Sequence, residues 1–324
     1  MDALSRLLIL YPMRTALERH SQVGAPWLIA QPQAAAGTAP FHLVTGGGAW
    51  LSTDGDAAIE LQAGDVLLLP HGGAHRLHAG DAARATALRV RSGHSLLDLV
   101  GNSGDGPVTN LLSGAFYFQE GAASALLACL PARLLVRSAG RTECASLRTL
   151  VNLLKGEADA MRPGAGAIAP QLASALFALL IRAWLELEQA PAAPGLFALL
   201  AERRLQAVMQ GMLEAPHQSW SLKDMAAACH MSRATFARLF HQVGGATPAT
   251  VLMQTRMAQA ACWLAQGAAP VSAIGEAVGY QSEAAFSRVF KRCYGIGPGQ
   301  FRRNAKAGIG PLVRQHAPPE AAAA

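Results

Sequence analysis

The stretches "SRATFARLFHQVGGATP" (residues 232–248) and "SEAAFSRVFKRCYGIGP" (residues 282–298) carry the same skeleton of Ser, Ala, Phe, Arg, Phe, Gly and Pro, fifty positions apart. At about 100° of rotation per residue, Phe236, Leu239 and Phe240 share one side of a helix, and Phe286, Val289 and Phe290 do the same in the second copy. Each segment therefore has one stripe to bury. Arg238 and Arg288 point roughly opposite it, beside Ala234, Ala237 and His241 in one copy and Ala284, Ser287 and Lys291 in the other. The outward faces are small and basic.

A shorter helix is expected ahead of each. "SLKDMAAACHMS" opens with an S-x-x-D capping pattern at Ser221, and Ser232 can cap the next helix after a break near 229–231. "SAIGEAVGYQS" repeats the arrangement from Ser272, with Gly279 suited to the left-handed residue that ends a helix. Two short helices, a tight turn and an exposed basic face predict helix-turn-helix units over about 221–242 and 271–293, whose second helix enters a DNA major groove. A helical solenoid would need three or more such repeats. Between the units, "TPATVLMQTRMAQAACWLAQG" has Thr247 as a cap, Pro248 at the first helical position and Gly267 as a stop, so it reads as one continuous helix.

Charge supports this placement. The chain has 324 residues and a net charge of +6, but residues 1–195 hold 14 Lys/Arg against 15 Asp/Glu, whereas 196–324 hold 13 against 6. The basic half is the one a polyanion would meet. With 51% hydrophobic and 15% charged residues the chain is expected to fold into domains with real cores. No targeting segment is expected: Asp2 and Arg6 interrupt the opening "MDALSRLLILYPMRTALERH", which reads as a short amphipathic helix. "LASALFALLI" (172–181), stopped by Arg182, is about half the length of a membrane span, so no membrane segment is expected. Five cysteines without CxxC spacing suggest neither a zinc knuckle nor a disulfide framework, which fits a reducing cytoplasm.

Ahead of the basic half, residues 41–93 alternate short β-rich runs with Gly and Asp turns, as in "FHLVTGGGAWLST" and "AAIELQAGDVLLLPHGGAHRLHAG", an all-β, barrel-like pattern. From about 124 to 188 the pattern turns helical, with "TECASLRTLVNLLKGEADA" and "IAPQLASALFALLIRAWLELE" showing broad apolar faces. Those faces are expected to pair two chains as a homodimer. The expected organisation is α+β and multidomain: a barrel with a helical dimerisation segment over 1–188, a linker at 189–197, an all-α domain over 198–305, and a disordered tail over 306–324.

"MSRATFARLF", "GGATPATVLMQTRMAQAACWL", "VSAIGEAVGYQSEAAFSRVFKR" and "GIGPGQFRR" resemble the DNA-binding domain of AraC-type transcription regulators over about 198–305. The resemblance implies that exposed positions of both recognition helices touch bases and phosphates of a double-stranded promoter operator. They are Ser232, Arg233, Ala234, Thr235, Ala237 and Arg238 in the first copy, and Gln281, Ser282, Glu283, Ala284, Ser287, Arg288 and Lys291 in the second. Alanine at several of these positions departs from the long polar side chains often found there. "GDVLLLPHGGAH" (64–75) is similar to the second cupin motif, with His75 where metallocupins place a metal-binding histidine. The first motif's donors are missing upstream, where only His42 is found, so neither a metal nor another cofactor is expected. His42, Trp50, His71, His75 and His78 are instead the candidate effector-binding set.

A cupin barrel joined to such a domain implies a sensor of a small molecule or oxidant that acts on transcription, as an activator working with RNA polymerase. The layout also resembles a subgroup containing a regulator that answers reactive chlorine through cysteine oxidation, although the barrel here has no cysteine ahead of Cys129. Cys129 and Cys144 read as small buried residues. The competing reading, a metal-dependent cupin enzyme with an accessory DNA-binding domain, needs three or four convergent ligands where the sequence supplies one with suitable spacing.

Overall fold

The computed structural model describes residues 1–91, 97–118, 126–160, 163–187, 194–267 and 269–306. It opens with helix α1 (Ala3–Leu10), capped by Asp2, whose carboxylate accepts from the Ser5 amide at 2.9 Å. Pro12 ends this helix early, and the residues from Met13 onward enter strand β1 (Met13–Gly24) rather than continuing the helix expected through His20.

Ten further strands follow among the described residues. They are β2 (Trp27–Gln31), β3 (Thr38–Gly46), β4 (Gly48–Ser52), β5 (Ile59–Gln62), β6 (Asp65–Leu68), β7 (His75–Ala79), β8 (Arg89–Arg91), β9 (Asp98–Gly101), β10 (Val108–Phe118) and β11 (Leu134–Arg137). One sheet has the order β11-β6-β3-β10-β1-β9-β8 and the other β2-β7-β4-β5. The β-rich zone is thus wider than residues 41–93, and β11 falls inside the zone expected to be helical. The long central strand β10 shows almost no alternation because apolar groups cover it on both faces: Leu111 in the barrel interior, Leu112 and Phe116 beneath the helices.

Turn chemistry fixes the cupin-like hairpin. Gly64 takes φ +95° between β5 and β6, and the buried Asp65 accepts from the Gln62 amide at 2.9 Å. At Gly72 (φ +65°) an added Cβ would sit 2.9 Å from Ala34 and 3.0 Å from the Thr38 carbonyl, so only glycine closes that turn.

The outer face of the larger sheet is covered by α2 (Ala145–Ala160) and α3 (Ala165–Leu187). Leu147, Leu150, Val151 and Leu154 of α2, and Ala173, Leu176, Phe177, Leu180 and Ile181 of α3, are buried with Phe41, Leu112 and Phe116 of the sheet. α3 matches the long helix read from "IAPQLASALFALLIRAWLELE", and its apolar character extends beyond the ten-residue run at 172–181. It is long and apolar enough to cross a membrane by length and composition, with a mean hydropathy of 1.6 over Ala167–Leu187, yet its apolar face packs on the barrel. Most of the surface expected to pair two chains is therefore used within one. Leu153 and Ile168 remain exposed, at 52% and 44%.

Of the expected linker, residues 189–193 lie outside the described residues, as does the tail beyond Lys306. After Gly195 come α4 (Leu196–Ala201), α5 (Gln206–Glu214), α6 (Leu222–Ala228), α7 (Arg233–Gly244), α8 (Pro248–Gln266), α9 (Val271–Ala277), α10 (Glu283–Tyr294) and α11 (Pro298–Lys306). These form two cores strung on α8. Its early residues Val251 and Leu252 join Phe236, Phe240, Met225 and Met209; its later residues Met257, Ala260, Ala261 and Leu264 join Ile274, Phe286, Phe290 and Phe301.

Candidate nucleic-acid interface

Side chains cap both helices of the first helix-turn-helix unit but only the second helix of the other: α9 starts at Val271 behind Pro270, which has no side-chain cap, so Ser272 lies inside the helix instead of capping it as the sequence suggested. Ser221 and Asp224 form a reciprocal capping box at the start of α6. Ser232 Oγ accepts from the Thr235 amide and Ser282 Oγ from the Ala285 amide, both at 3.2 Å, which starts α7 and α10. Gly245 and Gly295 end those helices at φ +65° and +73°, donating back to the His241 and Lys291 carbonyls.

The two turns are not the same length. In the first, His230 takes the left-handed conformation (φ +54°) and Met231 donates to the Ala226 carbonyl; in the second, Gly279 (φ +89°) precedes Tyr280, which donates to Gly275. Those equivalent residues are 49 positions apart whereas the capping serines are 50 apart, so the second turn has one extra residue before its recognition helix. Gly279 is required twice over, because a Cβ there would lie 2.7 Å from the His217 carbonyl.

Phe236, Phe240, Phe286 and Phe290 are fully buried and Leu239 nearly so. Their placement turns Ser232, Arg233, Ala234, Thr235 and Arg238 to solvent on α7, and Gln281, Ser282, Glu283, Ala284, Arg288 and Lys291 at and along α10; Ala237 and Ser287 are half-buried at the edges. Arg292, not singled out in the sequence, adds a further exposed cation to α10. Glu283 sits in the first turn of α10, where the helix dipole favours a carboxylate.

The rod α8 sets the separation of the two faces. Thr247 caps it, Pro248 opens it and Gly267 stops it at φ +71°. Its 19 residues span about 28 Å at about 1.5 Å each. Arg256, midway along, donates from Nε to the Pro216 carbonyl (2.7 Å) and from Nη2 to the Gln218 carbonyl (2.9 Å), tying the segment ahead of α6 to the rod.

The five residues of the candidate effector set fall in three places. His42 and His75 meet inside the barrel, Nε2 to Nε2 at 2.8 Å. Ser113 Oγ lies 2.8 Å from His42 Nδ1, and His75 Nδ1 donates to the Gly73 carbonyl at 2.8 Å. With His75 Nδ1 the donor, its Nε2 accepts from His42 Nε2–H, and His42 Nδ1 accepts from the serine, so the chain of bonds is complete with both rings neutral. Burial, followed by the neighbouring His75 and Arg19, pushes His42 down to about 3, and burial also lowers His75. Trp50 and His78 pair across β4 and β7 on the outer side of the smaller sheet, where His78 Nε2 lies 3.0 Å from Ser52 Oγ. His71 donates from Nε2 to the Leu130 carbonyl at 3.0 Å in the turn before β7. Among the described residues, no three His, Cys, Asp or Glu side chains form a group that could hold a metal ion.

The cupin family matches residues 2–186 and the helix-turn-helix domain family matches residues 225–304. The chain is 32% identical to the RCS-specific HTH-type transcriptional activator RclR of Escherichia coli K12 over 319 residues, 98% of this chain and 100% of that one. It belongs to the AraC-type transcription regulators. An HTH-type transcriptional regulator of Haemophilus influenzae is 30% identical over 304 residues, 94% of this chain and 99% of its own. An AraC-type DNA-binding domain protein from Chromobacterium violaceum, solved by crystallography, is 26% identical over 32% of this chain and 91% of its own, with a TM-score of 0.30.

Like its Escherichia coli and Haemophilus influenzae relatives, this AraC-type protein is a transcription regulator and not an enzyme; it binds DNA through its C-terminal helices, and its cupin domain fits a sensing role. The contact between the two parts was invisible in the sequence. α1 lies against α5 and α8, its Leu7 and Leu10 buried in the cluster that also takes Leu213 and Ala258. Cys262 Sγ donates to the Leu10 carbonyl at 3.3 Å, and Gln210 donates to the Met1 carbonyl at 2.6 Å. The N-terminal helix is thus attached to the DNA-binding part while the strand that follows it belongs to the barrel.

Proposed function

We propose that one chain reads two successive major-groove segments of a promoter operator, through α7 and α10, and that a signal received by the cupin domain alters this reading to activate transcription together with RNA polymerase. The observation that carries it is the rod: about 28 Å of helix separates two exposed small-and-basic faces, close to the roughly 34 Å between major-groove faces on one side of B-DNA. Arg233, Arg238, Arg288 and Lys291 supply the cations for phosphates and guanine edges, while Ala234, Ala237 and Ala284 allow the backbone of each helix to approach closely. Because the two readers come from duplication within the chain, the two half-sites need not be palindromic. A homodimer, if formed through α2 and α3, uses the surface that Leu153 and Ile168 leave open.

Genomic fragments selected by the full-length protein provide the test. Arg238→Ala and Arg288→Ala should each weaken binding to the selected operator by about 1–3 kcal/mol with the fold unchanged, and wild-type affinity should fall steeply with salt. Unchanged affinity in both variants means that the recognition faces lie elsewhere.

A further inference from the structure

A cavity of about 580 Å³ lies outside the barrel, between the uncovered end of the larger sheet and α2. Its floor follows from strand register. Arg89 on β8 is opposite Gly101 on β9, Gly101 opposite Gln22 on β1, and Gln22 opposite Asn110 on β10, so these four positions form one row across four strands. A second row begins at Arg91 and runs through Leu99 to His20. Period-two alternation keeps Arg89 and Arg91, about 7 Å apart along the strand, on the same side of the sheet. Gly101 contributes no side chain, and a Cβ added there would meet only the Gln22 carbonyl, at 3.6 Å, so the middle of the row is open.

The charges lining this space are unbalanced. Arg89 and Arg91 stand at one end. At the other, Lys155 of α2 donates to the Thr45 carbonyl beside Asn110, 3.4 Å away, three to four strand spacings of about 4.8 Å from β8. Asp159 is the only carboxylate among the lining residues, and it faces His20 Nε2 at 3.4 Å. Among the described residues neither arginine has an ion-pair partner. The three cations stand in a half of the chain that is otherwise slightly acidic. Guanidinium groups free of partners, with amides between them and a lysine, recognise carboxylate or phosphate oxygens.

We infer that this cavity binds a small organic anion, one carrying carboxylate or phosphate groups on a polar body, which Arg89 and Arg91 hold at one end while Gln22, Asn110 and Lys155 hold the remainder. Its volume is in the range of small-molecule sites. The inference rests on the sensing role proposed above and names the ligand class. It also supplies a route to DNA: Gln22 and His20 belong to β1, the strand that α1 leads into, and α1 is docked on α5 and α8. An anion that draws α2 toward β1 and β8 loads the strand joined to the DNA-binding part.

Calorimetric titration of the full-length protein with citrate and, separately, inorganic phosphate tests this, with glycerol as the uncharged control. At least one anion should bind saturably at one site per chain. Arg89→Ala/Arg91→Ala should weaken that binding by about tenfold or more, and so should Gln22→Glu, which places a carboxylate on the floor at an exposed position without changing shape. Saturable binding of citrate marks the site as one for carboxylates, and of phosphate as one for phosphorylated molecules. Binding of neither, or binding that survives both variants, overturns the site. Operator affinity of the same proteins without added anion separates the two readings: if the arginine variant alone loses operator affinity, Arg89 and Arg91 serve DNA and the cavity proposal fails. Anion binding that leaves operator affinity unchanged keeps the site and overturns its sensing role.

Discussion

Replacing His42 by Gln should change how the stability of this protein depends on pH, and the structure gives both the sign and the size. His42 is buried with both ring nitrogens engaged, and its pKa is pushed from 6.5 to about 3 by burial and then by His75 and Arg19. A histidine with a depressed folded pKa contributes fully above its unfolded value and loses that contribution as pH falls, here from about pH 6.5 toward pH 3, because the unfolded chain takes up a proton that the folded chain excludes. Each pH unit in that window costs about 1.4 kcal/mol, so at about pH 5 the loss is about 2 kcal/mol relative to pH 7.5. His75, shifted in the same direction by burial, adds to it. The glutamine variant should be less stable than the wild type near neutrality by about 1–3 kcal/mol, since Ser113 and His75 lose a ring partner. That gap should shrink by about 2 kcal/mol at about pH 5. Urea unfolding followed by tryptophan fluorescence, to which the fully buried Trp27 contributes a barrel signal, measures both quantities. Equal pH slopes in wild type and variant would refute the neutral-pair assignment.

Three other outcomes are expected. Leu10→Ala should destabilise the full chain by up to about 2–5 kcal/mol and speed amide exchange across α1, because Leu10 is 2% exposed and anchors that helix on α5 and α8; slow exchange in the variant would mean that the anchor lies elsewhere. Ser232→Ala removes the oxygen that accepts from the Thr235 amide and should cost about 1 kcal/mol in denaturant unfolding, with Ser282→Ala costing a similar amount. Light scattering at micromolar concentration should show a dimer that Leu153→Glu/Ile168→Glu dissociates; a wild-type monomer would remove the pairing role of α2 and α3.

The C-terminal half was legible because its signals are local. Ser221, Ser232, Thr247 and Ser282 cap where the spacing says they should, Pro248 and Gly267 bound the rod, and the Phe stripes alone orient both recognition faces. The one-residue difference between the turns was not legible, since nothing in the composition of 229–231 announces that His230 will adopt a positive φ. The barrel was read only in its middle. β1 follows directly on a helix, β10 is covered on both faces and so loses its alternation, and β11 is four residues long between helical stretches. Of the effector set, His42 on β3 and His75 on β7 meet because their side chains reach across the barrel interior from its two different sheets, whereas Trp50 and His78 pair across β4 and β7 on the outer side of the smaller sheet. The basic cavity had a trace in the alternation of "RVR" at 89–91, but its floor also comes from β1, β9 and β10, which only the sheet register unites, and its remaining wall from α2.

The central claim, two readers held on one rod, is tested most directly by guanine-methylation interference on a selected operator with the full-length protein and its two arginine variants. Two clusters of interfering guanines, about 10 base pairs apart for each bound chain, are expected, with Arg238→Ala erasing one cluster and Arg288→Ala the other. A single cluster, or the same cluster lost in both variants, would contradict it.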